Sequence, residues 1–111
     1  MVIAVDFDGT IVHNAYPEIG EPKWGVVEAL KASQAKGNTI ILWTCRDGQL
    51  LHDAVTFCKN VLDLTFDKIN SDSDAALQAY STRPRKIGAD LYVDDRAISP
   101  CMFELMVLGE G

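Results

Sequence analysis

The run Val2-Ile3-Ala4-Val5, ending without a break in Asp6-Phe7-Asp8-Gly9-Thr10, restricts this chain more than any other feature. Four successive apolar residues suit a strand covered on both faces, as in a parallel sheet, because a half-exposed strand would alternate. The pattern recurs. Thr39 to Trp43 (TIILW) reads as a second buried strand, Leu64 to Ile69 as a weaker third, and Leu91 to Val93 as a fourth that stops at Asp94 and Asp95. Helix-like stretches separate them. Trp24 to Lys36 carries Val26, Val27, Ala29 and Leu30 on one side, and Gly37 is a natural stop. Asp47 can cap a second helix bearing Leu50, Leu51, Ala54, Val55 and Cys58 at helical spacing, and Ser73 to Tyr80 reads as a third. Residues 11–23, with Pro17, Gly20 and Pro22, read as an irregular loop. The apolar tail from Ile98 to Leu108 fits a helix or a strand equally.

Strands alternating with helices predict an α/β fold: a three-layer, Rossmann-like parallel sheet with helices on both faces. With 111 residues, a single domain over 1–111 is expected. Right-handed crossovers bring the carboxyl ends of all strands to one edge, and open sheets of this kind bind ligands there. Asp6, Asp8, Thr44, Asp94 and Asp95 should therefore be neighbours in space. Four carboxylates at one edge repel each other, and a divalent cation would offset that repulsion. All-oxygen donors suit Mg²⁺, which also bridges to substrate phosphates.

Composition narrows the partners. Apolar residues make up 48% and charged residues 23%, which excludes a disordered chain. The net charge of −6 disfavours general binding to nucleic acid, while leaving room for a short phosphorylated end at a local basic spot. No apolar run approaches the roughly 20 residues of a membrane helix, and the N-terminus lacks a secretory leader. Cys45, Cys58 and Cys101 form no CxxC pair and fit no zinc spacing. They read as buried or partly buried thiols in a reducing cytoplasm.

These motifs carry a resemblance. VIAVDFDGTIV resembles the first motif of the haloacid dehalogenase-like (HAD) hydrolase superfamily, and IILWT the second. Lys86, within RPRKIGADLYVDD, resembles the third, and LYVDD the fourth. All four stand in the family's order over residues 2 to about 97, and no stretch of the sequence is left for a cap domain. The resemblance implies a Mg²⁺-dependent phosphatase acting on a phosphomonoester. Asp6 would attack phosphorus and form an aspartyl-phosphate. Asp8 would protonate the leaving oxygen and then deprotonate water, with its main-chain carbonyl on the metal. Thr44 would hydrogen-bond a phosphoryl oxygen, Lys86 would neutralise it, and Asp6, Asp94 and Asp95 would complete the Mg²⁺ site. Gly9 would let the backbone turn and approach the phosphate closely. The acid at position 8 favours phosphate over halide, since the family's dehalogenases lack it.

A pyrophosphatase or phosphotransferase shares these steps and is the first alternative. A non-catalytic HAD-like binding module is the second. A receiver-type signalling domain fits poorly: the third strand ends at Ile69 and Asn70 without an aspartate, and a DxD pair has no place in it. Arg46 has three open readings: holding substrate, orienting Asp94, or facing solvent. Arg83 and Arg85 lie near Lys86. His13 and Tyr16 read as ordinary loop residues, with contact to the leaving group as the alternative. His52 reads as surface, and Trp24 and Trp43 as core. Only 35 residues lie between Asp8 and Thr44, and 41 between Thr44 and Lys86, so an open site is expected. It would take either a bulky substrate, such as a phosphorylated polymer end, or a small one covered by a neighbouring subunit. A short sheet with an unprotected edge predicts a homo-oligomer.

Overall fold

The computed structural model describes residues 1–79 and 86–109. They form one four-stranded, fully parallel sheet: β1 (Val2–Val5), β2 (Thr39–Leu42), β3 (Lys68–Ile69) and β4 (Leu91–Val93), in the spatial order β3-β2-β1-β4. The helices are α1 (Trp24–Ala35), α2 (Gly48–Asn60), α3 (Asp74–Ala79) and α4 (Pro100–Leu108). This is the Rossmann-like α/β architecture that the alternation of runs predicts. Successive strands move outward from β1 through β2 to β3, and the chain then returns to add β4 on the other side of β1. The direction reverses at β1, and the carboxyl end of β1 is the place where such sheets open a ligand crevice.

Ile3 and Val5 of β1 pair in register with Ile40 and Leu42 of β2 and with Leu91 and Val93 of β4. Paired residues share a face. The Ile3 face packs against Val27 and Leu30 of α1 and Ala54 and Cys58 of α2, in a core that also holds Phe7, Ile11, Val12, Leu62 and Leu64. On the opposite face Ala4 and Ile41 are equally buried. Burial on both faces is why β1 and β2 read as continuous apolar runs rather than alternating ones.

α1 ends where Gly37 was expected to stop it. Gly37 has φ +90, its N–H bonds to the Gln34 carbonyl, and the Asn38 N–H reaches back to Ser33. These two bonds form a Schellman closure that the left-handed glycine permits. Asp47 occupies the N-cap position of α2, but its side chain makes no capping bond. The third strand is shorter than the run Leu64 to Ile69. Leu64 is already committed to the core, with its N–H on the Cys58 carbonyl, so ladder pairing starts only at Asp67. Tyr80, the expected end of the third helix, lies outside the described residues, as do Arg83 and Arg85. The ambiguous tail is a helix: the Ser99 hydroxyl accepts the Met102 N–H, and Pro100 occupies the first turn. Among the described residues no helix is long and apolar enough to cross a membrane.

Candidate active site

Each strand of the sheet centre delivers one polar group to the same edge. β1 runs straight into Asp6, whose N–H continues the ladder to the Val93 carbonyl of β4 at 3.0 Å. That bond holds the carboxyl ends of β1 and β4 side by side, and Asp94 and Asp95 follow Val93 directly. One carboxylate oxygen from each of Asp6, Asp94 and Asp95 lies within 4.8 Å of the others. Asp6 is half-buried, while Asp94 and Asp95 are exposed. Burial pushes the Asp6 carboxyl up to about 6 from 3.8, and the charges of Asp94, Asp95 and Asp8 add to the rise against an opposing hydrogen bond from Phe7. Three hard oxygen donors converging on one point, with mutual repulsion still uncompensated, match the donor chemistry of Mg²⁺.

The turn after Asp6 is fixed by its own backbone. The N–H groups of Thr10, Ile11 and Val12 all converge on the Phe7 carbonyl. Gly9 has φ +87, and a Cβ there would overlap the Asp95 carboxylate, so a side chain is barred by both conformation and space. The Thr10 hydroxyl accepts the Asp95 N–H at 3.0 Å, which ties this turn to the end of β4. Lys23 closes it from the other side, donating to the Gly9 carbonyl at 2.6 Å.

Asp8 points elsewhere. Both its carboxylate oxygens accept from Arg46, Nε to Oδ2 and Nη2 to Oδ1, each at 2.8 Å. Arg46 is 2% exposed, and its guanidinium lies over the rings of Phe7 and Tyr16, 5.1 Å from each centroid. It also donates to the Glu18 carbonyl at 2.9 Å. Arg46 therefore neither faces solvent nor orients Asp94; it fixes the side chain of Asp8. The Asp8 carboxylate is accordingly not one of the three converging oxygens, and only its main-chain carbonyl is left for the ligand role that the resemblance gives it.

Thr44 stands at the end of β2, its N–H held by the Asn70 side chain at 2.8 Å. Its hydroxyl accepts the Arg46 N–H at 3.1 Å, which leaves the hydroxyl proton free to donate. Asp6, Asp8, Thr44, Arg46 and Asp94 all line one cavity of about 650 Å³. Lys86 does not. Its ammonium lies over the Tyr92 ring, 4.9 Å from the centroid, and the adjoining chain is tied down by Gly88 N–H to Asp72 and by the Tyr92 hydroxyl to the Ile87 carbonyl. The ring face and these two bonds hold Lys86 beside Tyr92, which packs on the cavity residue Trp43, and not on the wall itself.

Several wall residues escape a reading of the sequence. Trp43, expected in the core, lines the cavity and pairs with Tyr92 at 5.6 Å; Trp24 is 54% exposed. Tyr16 lines the cavity, whereas His13 and His52 are exposed. Cys58 is buried and its thiol is pushed up to about 12 by burial, but Cys45 and Cys101 are exposed, contrary to expectation. Arg96 also lines the cavity and has no ion-pair partner among the described residues. Its place directly after Asp95 was the signal that could have found it.

No protein-family model matches the chain, and no curated protein does. A solved structure does: the conserved protein coded by a locus from Bacteroides thetaiotaomicron is 41% identical, and the match covers 96% of this chain and 88% of that one with a TM-score of 0.77.

Proposed function

We propose that this chain, which belongs to the same family as the conserved Bacteroides thetaiotaomicron protein, is a HAD-like Mg²⁺-dependent phosphatase that hydrolyses a phosphomonoester through an aspartyl-phosphate on Asp6. The observation that carries the reading is the convergence of Asp6, Asp94 and Asp95 within 4.8 Å at the point where the sheet reverses direction. Bound there, Mg²⁺ would neutralise both the carboxylates and the phosphoryl oxygens, so that one anion can approach another.

The chain's own groups then divide the work. An Asp6 oxygen attacks phosphorus in line, the ester P–O bond breaks, and the leaving oxygen takes a proton from Asp8. Water next attacks the aspartyl-phosphate, loses its proton to Asp8, and releases inorganic phosphate with Asp6 restored. Arg46 acts on this cycle through Asp8, holding its side chain in one orientation. The Thr44 hydroxyl donates to a phosphoryl oxygen. Arg96 lines the cavity and Lys86 does not, so we assign the remaining cation to Arg96. A cavity of about 650 Å³ suits a small phosphorylated metabolite better than a polymer end. Three free cysteines support a cytoplasmic setting.

The test is release of inorganic phosphate from a panel of sugar phosphates, nucleotides, pyrophosphate and phosphopeptides, with Mg²⁺ and with EDTA. Turnover of a monoester that stops with EDTA and in Asp6→Asn supports the reading. Preference for pyrophosphate, or transfer to an added alcohol, would move it to the pyrophosphatase or phosphotransferase on the same site. Full activity in Asp6→Asn would end it.

A further inference from the structure

Among the described residues the α4 backbone makes no close approach to another element, and α4 has no buried residue. Met102, Phe103, Leu105, Met106, Val107 and Leu108 are each between 53% and 69% exposed. Its apolar character runs all the way round, since Glu104 is the sole charged residue from 98 to 109. A helix that is apolar on every side belongs in an interior. The radius of gyration, 15.3 Å, exceeds the ~13 Å of a compact chain of this length, as a projecting element requires.

The body has a complementary vacancy. The α1 backbone approaches β2, and among the described residues no helix comes as close to β4. There Ile3, Val26, Ala29, Leu30 and Val93 wall an apolar groove of about 310 Å³. Edge strand β4 borders it, with Leu91 47% exposed.

We propose that α4 of one copy seats in this groove of a second copy, and that the exchange is reciprocal, giving a twofold dimer. Two observations favour a partner over the helix's own body. The connection from β4 is fixed in the outward course: Asp94 accepts the N–H groups of Arg96 and Ala97, Asp95 is tied to Thr10, and Ser99 caps the helix. Docking on one body would also leave the far side of α4 bare, whereas a twofold arrangement supplies a groove on one side and the partner helix on the other. With roughly 100 Å² open on each of six side chains, two helices and the walls they cover exceed the ~1,200 Å² of a specific interface.

Light scattering on the full chain at about 100 µM tests this, with Leu105→Glu/Met106→Glu on α4 and Ala29→Glu in the groove. Ala29 is exposed in the single chain, so its replacement leaves the fold intact, checked by circular dichroism. The wild type should weigh twice 12.2 kDa and both variants 12.2 kDa. Mixing the two variants should restore a heterodimer, because one helix and one groove remain intact in trans. A monomeric wild type overturns the proposal, whether its α4 amides resist exchange, as on its own body, or phosphatidylcholine vesicles capture it. A dimer that survives Ala29→Glu overturns it too.

Discussion

At the scale of single residues, Asp6 carries the largest electrostatic strain. Its carboxyl titrates near 6 in the folded chain against 3.8 in the unfolded one. The metal-free fold therefore holds a proton there more tightly than the unfolded chain does. The contribution of this one group to stability falls as pH rises from 3.8 to about 6 and is level above that range. We expect Asp6→Asn, which removes the charge and keeps the shape, to melt higher than the wild type above pH 6 without metal. The gap should close towards pH 4. A variant that melts lower at pH 7 would contradict this. Arg46 supplies a second residue-scale prediction. Arg46→Met strands a largely buried carboxylate on Asp8 and should cost about 3 kcal/mol in urea denaturation. Asp8→Asn combined with Arg46→Met should recover most of it, because no uncompensated charge remains. A single-variant loss below about 1 kcal/mol would argue against the clamp. The sequence could not assign Arg46 its partner. The two residues are 38 positions apart, and only the folded loop brings Phe7 and Tyr16 against the guanidinium.

At the scale of elements, uninterrupted apolar runs were the legible signal, and they located even the largely exposed β4 at Leu91–Val93. β1 and β2, covered on both faces, were read to within a residue, and so was α1 with its glycine stop. β3 was overread, because apolar residues destined for the core precede a ladder of only two residues. The tail was undecidable from periodicity, since a segment apolar on all sides shows neither a period of two nor one of 3.6. Its Ser99-Pro100 start was the readable cue. Motif order places Lys86 before β4 but does not say where its side chain points, and the structure sets it over the Tyr92 ring. The turn after β1 gives the element-scale prediction. Gly9→Ala should cost about 1 kcal/mol through its positive φ. It should also displace Asp95 and weaken the response to Mg²⁺ at least tenfold, read by thermal shift. An unchanged midpoint would remove Asp95 from the site.

At the scale of the molecule, the strand order explains why acids from both ends of the sequence meet. β1 is central, β4 is its neighbour, and the hydrogen bond from Asp6 to Val93 fixes their ends together. Mg²⁺ should accordingly stabilise the whole fold, by about 2.7 kcal/mol at a hundred times its Kd. The stabilisation should be greater at pH 7.5 than at pH 5, where Asp6 is protonated. Asp94→Asn should reduce it at both.

Crystals soaked with Mg²⁺ and beryllium fluoride test the central claim most directly. The account predicts beryllium bonded to an Asp6 carboxylate oxygen, with Mg²⁺ held beside it by Asp94 and Asp95. A fluoride complex bound away from Asp6, or a metal that ignores the three carboxylates, would contradict it.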